Sequence, residues 1–144
     1  MHFAWKRRKV GLQTNYKQII SSKLNNLILE FHNSSLSLMQ GYTLMGFVVL
    51  ERHSSSTDGN ILQVTDLSIT KAKDITTYGR VLVNELILWA NEHEYSLLAG
   101  KLSKQTEAIL KAFAEDESFD MSNLTIEGKV FRLKLKHYNE KESN

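Results

Sequence analysis

The stretch Val64-Thr65-Asp66-Leu67-Ser68-Ile69-Thr70-Lys71-Ala72-Lys73-Asp74-Ile75-Thr76-Thr77-Tyr78-Gly79 joins the end of one apolar run to the start of another. Residues 61–69 follow a polar loop, 54–60, that carries the turn signal Asp58-Gly59, and they read as a strand. Residues 79–93 are nearly continuously apolar at Val81, Leu82, Val83, Leu86, Ile87, Leu88, Trp89 and Ala90, which predicts a deeply packed helix. Between the two lie threonines and lysines. A loop that opens a helix turns free backbone N–H groups outward, and the helix dipole adds partial positive charge there. A pyrophosphate binds readily at such a place. Glycine in the loop lets the backbone approach an anion closely and reach positive φ.

Upstream, residues 43–53 are rich in Val, Leu and Phe, and residues 36–40 form a short strand before the turn at Gly41. With 61–69 these make an antiparallel meander whose register is set by local connections. Further back, Ile19, Ile20, Leu24, Leu27, Ile28 and Phe31 recur at spacings of three and four, so residues 16–31 are expected to form an amphipathic helix that Asn33, Ser34 and Ser35 end. Downstream, residues 95–102 read as a short strand. Ser103 is the N-cap of a helix through Ile109, Leu110 and Phe113. Two strands are expected near 118–121 and 129–136, turning at Glu127 and Gly128. The fold class is therefore α+β, a mixed, mostly antiparallel sheet of six to seven strands flanked by helices on both faces. One domain spans residues 1–138, and residues 139–144 form a disordered polar tail.

Composition narrows the chemistry. A chain of 144 residues with 42% hydrophobic and 24% charged residues is an ordinary globular domain. It contains no cysteine, which removes disulfides, thiolate metal sites and cysteine nucleophiles together and fits a reducing compartment. No apolar run approaches the roughly 20 residues of a membrane span, and the basic N-terminus is not followed by an apolar segment, so the chain reads as cytoplasmic with no membrane association. The net charge of +2 is too small to indicate nucleic-acid binding by the whole molecule. Lys6, Arg7, Arg8 and Lys9 beside Trp5 form a local basic patch, for which a solvated strand or arm is the simpler reading. The histidines His2, His32, His53, His93 and His137 have no ligand spacing. No Gly-x-Ser-x-Gly elbow or Walker phosphate loop is present.

The order of elements and the segment from Val64 to Gly79 resemble the GCN5-related N-acetyltransferases, in which the stretch is written L-E-D-L-x-V-x-x-x-x-[QR]-x-x-G-x-[GA]; the two align without a gap. Trp89-Ala90 and the strand ending Ala99-Gly100-Lys101-Leu102-Ser103 sit where that family has similar residues. The resemblance implies an acyl-CoA N-acyltransferase-like fold with acetyl-CoA as co-substrate and an amine of a small molecule or protein as acceptor, acetylated in a direct ternary complex. It implies that the backbone near Leu67 and Ile69 pairs with the pantetheine arm like an added strand. The amides of Ile75, Thr76, Thr77, Tyr78, Gly79 and Arg80 would hold the pyrophosphate. Asp74 stands where the family has Gln or Arg, and Thr77 where it has the first glycine. Lys71, Lys73, Arg80 and the hydroxyls of Thr76 and Thr77 offer compensating charge and donors.

Acetyl transfer to an amine needs a base for the ammonium proton and an acid for the departing thiolate. By resemblance, Asp66 takes the acidic position of the central strand and is the candidate base or substrate anchor. Phe113-Ala114-Glu115-Asp116-Glu117-Ser118-Phe119 is similar to F-Y-E-K-x-G-F, which puts Ala114 where the tyrosine acid is expected. Tyr78 and Tyr95 are substitutes from other directions, although such tyrosines are more often half-buried packing. Glu51 and His53, two apart and so on one strand face, serve either as substrate contacts or a base relay, or as a plain polar strand end. The altered positions keep a second reading open: a non-catalytic binding or regulatory module contacting nucleic acid or protein through the basic N-terminus. Edge strands of such a fold also offer a surface for a homodimer.

Overall fold

The structure, a computed structural model, describes residues 16–20, 27–32, 34–116 and 119–138. The basic segment 5–9 and the tail 139–144 lie outside the described residues. An antiparallel meander comes first: β1 (Tyr16–Ile20), β2 (Leu27–His32), β3 (Ser35–Gln40), β4 (Thr43–Ser55) and β5 (Gly59–Ile69) each pair with the next. A 3-10 turn, Ala72–Asp74, leads into α1 (Ile75–Glu92), which returns the chain to β6 (Leu97–Lys101) beside and parallel to β5. Parallel neighbours require such a crossover. Helix α2 (Lys104–Ala114) follows, then a hairpin of β7 (Leu124–Glu127) and β8 (Val130–Lys134). The sheet order is β1-β2-β3-β4-β5-β6-β8-β7, so the architecture is mixed, mostly antiparallel α+β.

The expected helix over residues 16–31 does not form; its described parts are β1 and β2. Leu27, Leu29 and Phe31 also alternate, and a short apolar run carries both periods at once. The edge of β3 resolves the ambiguity, pairing Leu27 with Gln40 through to His32 with Ser35 and so satisfying β2's backbone. The expected strand near 118–121 begins later, at Leu124. Asp120 instead caps a 3-10 turn, Met121–Asn123, accepting from the Ser122 backbone N–H at 3.0 Å and from its hydroxyl at 2.6 Å. Ser103 caps α2 as expected, accepting from the Thr106 N–H at 3.1 Å.

The expected covering of both faces is not seen among the described residues: α1 and α2 pack against each other on one face of the sheet. Leu36, Leu38, Val48 and Leu50 are buried there with Leu82, Leu86, Ile109 and Phe113. Along β5 the buried residues are Leu62, Val64, Leu67 and Ile69, so strict alternation fails once, at the consecutive exposed pair Thr65 and Asp66. A β-bulge explains it: Asp66 faces Val49 and Val64 faces Leu50, leaving Thr65 as the extra residue. The Thr65 hydroxyl donates to the Val49 carbonyl at 3.1 Å and fixes the bulge. The shift keeps four apolar side chains on the helix face although the strand is one residue too long for its partner.

Candidate functional site

Past the bulge the centre of the sheet opens. Strands β5 and β6 pair from Ile61 with Leu97 only to Val64 with Gly100, while β5 continues five residues further, to Ile69. Bulges raise local twist and end pairing, so the splay begins where Thr65 is inserted. In a strand the N–H and C=O of residues i and i+2 point to the same side. Leu67 and Ile69 therefore turn their backbone groups toward the gap that β6 has left. The Ile69 N–H donates to Gln105 Oε1 at 2.8 Å, and Gln105 Nε2 donates to the Ile69 carbonyl at 3.5 Å.

Two residues beyond β5 the chain enters the 3-10 turn that becomes α1. The helix starts at Ile75 rather than at Gly79, so the expected phosphate-holding residues lie in its first turn and a half. The Ile75 N–H already donates to the Ala72 carbonyl. Gly79 and Arg80 fall past the four amides a helix leaves open. Ile75 and Tyr78 are half-buried against the core. Thr76 and Thr77 are exposed and, with Arg80, Asn84, Phe113 and Asp116, line an open groove of about 570 Å³ between the start of α1 and the end of α2. The Arg80 guanidinium donates to Asp116 at 2.9 Å and sits 5.8 Å from the centre of the Phe113 ring.

Gly79 serves packing. A Cβ on it would lie 2.6 Å from both Cδ1 and Cγ1 of Ile109, so its hydrogen lets α1 and α2 close on each other. Gly79→Ala is expected to destabilise the fold by about 1 kcal/mol. The overpacking cost of roughly 1–3 kcal/mol outweighs the helix-propensity gain of about 1, because Ile109 is fully buried and rotating Cδ1 leaves Cγ1 in the clash. A urea unfolding curve showing a more stable variant would contradict this.

Asp66 is exposed at the bulge, on the face opposite the helices. Val49 stands across from it, and Glu51 and His53 continue the same face of β4, joined by a 3.1 Å hydrogen bond between Glu51 Oε1 and His53 Nε2. Diagonal neighbours of this kind are about 7–8 Å apart, which places Glu51 within reach of a ligand held at Asp66. Neither tyrosine joins them. Tyr95 is buried before β6, stacked 6.0 Å from Trp89, and burial pushes its phenol up, only partly offset by the charge of Arg52. It lies five residues, or about 16 Å, along the sheet from Gly100. Tyr78 is half-buried against the core at the start of α1, and Ala114 is exposed with no hydroxyl to offer. Gln105, Asn84 and Asp116 are the site-lining residues that sequence reasoning missed; a polar residue on a helix surface carries no signal of what it will touch.

No family model matches the sequence, and no curated protein matches it. Solved structures do share its fold. An acetyltransferase of the GNAT family from Streptococcus pneumoniae superposes with a TM-score of 0.53 at 15% identity, covering 76% of this chain and 67% of that one. The ribosomal-protein-S18-alanine N-acetyltransferase from Escherichia coli gives 0.51 at 11% identity, covering 88% and 97%. The N-acetylglutamate synthase from Neisseria gonorrhoeae, complexed with coenzyme A and L-arginine, gives 0.53 at 14% identity, covering 83% of this chain and 28% of that one. The splayed sheet with its crossover helix thus defines an acyl-CoA N-acyltransferase architecture. More closely, the chain has the fold of the GCN5-related N-acetyltransferases. Among the described residues, no group of three or more His, Asp or Glu could hold a metal ion, and no helix is long and apolar enough to cross a membrane.

Proposed function

We propose that this protein is a divergent GCN5-related N-acetyltransferase that binds acetyl-CoA and moves its acetyl group to an amine. The observation that carries the reading is the splay past Val64: a strand edge with no strand neighbour among the described residues leads through a 3-10 turn into the start of a helix. The edge at Leu67 and Ile69 suits an amide-bearing arm. The groove beyond it suits phosphates, since Thr76 and Thr77 bring hydroxyls, Arg80 a guanidinium and Lys71 and Lys73 nearby exposed cations. Asp116 opposes them and already holds Arg80. Acetyl-CoA supplies a thioester carbon open to attack. Asp66 borders the gap from the opposite face, where it anchors the acceptor ammonium or takes its proton. With alanine at position 114, the departing thiolate takes its proton from solvent.

A second reading, a non-catalytic binding module on the same scaffold, is favoured by Ala114 and by the pairing of Arg80 with Asp116. Calorimetric titration with acetyl-CoA and with CoA separates the two from the start. Thr76→Glu/Thr77→Glu is the informative variant, because both positions are exposed and Gly79 is not. Two carboxylates at the groove should weaken binding at least tenfold by like-charge repulsion while leaving the melting temperature unchanged. Absence of heat from the unaltered protein at millimolar ligand would remove the acetyltransferase reading.

A further inference from the structure

Gln105 is the feature of the splay that acetyl transfer does not require. Where β6 departs, the Ile69 N–H faces a partly buried gap, and an unpaired buried N–H is costly. The Gln105 carboxamide meets that need, accepting from Ile69 N–H at 2.8 Å and donating to Ile69 C=O at 3.5 Å. A primary amide offers one acceptor and a donor side by side, the pattern a neighbouring strand presents. Gln105 therefore imitates an added strand for one residue, at the place where the pantetheine arm has been assigned.

We propose that Gln105 is a built-in competitor for the edge of β5, and that an amide-bearing acyl carrier binds only by displacing its side chain. The inference rests on the acetyl-CoA reading of the site. Gln105 is the side chain that holds the Ile69 edge. Beside it, Val64, Leu67, Thr106 and Ile109 help to enclose an apolar cavity of about 20 Å³, room for one water and not for an arm. The backbone of α2 holds still during the exchange: Ser103 accepts from Thr106 N–H at 3.1 Å, its hydroxyl donates to Thr106 Oγ1 at 3.0 Å, and its carbonyl accepts from Glu107 N–H at 2.9 Å. Displacement is then a side-chain rotation about staggered torsions. Because the arm exchanges its hydrogen bonds for those of Gln105, Ile69 adds little net affinity in the unaltered protein. Removing the competitor leaves the edge for the ligand.

The test compares the unaltered protein with Gln105→Ala and with Gln105→Met, which keeps the size and helix propensity of glutamine without its amide. Acetyl-CoA is titrated calorimetrically into each, and amide hydrogen exchange at Ile69 is followed with and without it. Both variants should bind roughly tenfold more tightly. Their Ile69 amide should exchange faster than in the unaltered protein when free and recover protection on adding acetyl-CoA. Equal or weaker binding by both variants overturns the competitor role and leaves the acetyl-CoA reading standing. No binding by any of the three proteins overturns both.

Discussion

Replacing Gly100 with alanine is expected to cost about 3 kcal/mol of folding stability, near the top of the overpacking range. A Cβ there would lie 2.7 Å from the Val64 carbonyl oxygen, 3.0 Å from Val64 Cβ and 3.1 Å from Phe131 Cε2. The first contact is with backbone, so no rotamer change relieves it. Alanine would otherwise be favoured over glycine in a strand by roughly 0.5–1 kcal/mol, which makes the sign of the result informative. Relief requires β6 to move away from β5 at their last shared pair, where the splay begins. Chemical denaturation reads the loss directly. A change below about 0.5 kcal/mol would mean that the parallel pair is not held by this close approach.

The second large effect concerns turnover. On the proposed acetyltransferase reading, Asp66→Asn should lower kcat/KM for amine acetylation by about 10²–10⁴, the range of a positioned general acid or base, with acetyl-CoA affinity and stability unchanged. Stability stays level because Asp66 is exposed on the face opposite α1 and α2. Affinity stays level because the groove of Thr76, Thr77 and Arg80 lies on the side of α1 and α2. Steady-state kinetics with an amine panel, beside a CoA titration, provides both readouts. Full activity in the variant would remove Asp66 from the chemistry, and a parallel loss of acetyl-CoA binding would make it a structural residue of the bulge.

Much of this arrangement was legible in the chain because its signals are local. The Asp58-Gly59 turn, the Ser103 cap, the apolar face of α1 and the Glu127-Gly128 turn each depend on residues a few positions apart. The misread segment, residues 16–31, has no decisive period, and its choice between helix and strand lay with the edge of β3. The candidate site was legible in its strand and in the presence of a following helix, but the helix begins four residues earlier than expected, at Ile75, and the roles within the site were not legible. Gly79 looked like a phosphate-loop glycine and is a contact with Ile109, thirty residues away. Gln105 had no signature, because its partner Ile69 is 36 residues distant.

The sequence by itself determined that a central strand would run through Asp66 into a helix, since apolar patterns act over a turn or a few strand residues. The tertiary structure alone decided that Thr65 would bulge, that β5 and β6 would part at Val64 and Gly100, and that Gln105 would hold the edge so exposed. Each of these depends on how far two strands can remain paired once a residue is inserted in one of them, and on which side chain is near when pairing ends. Such matters are settled by packing across the sheet and not by the residues on either side in the chain.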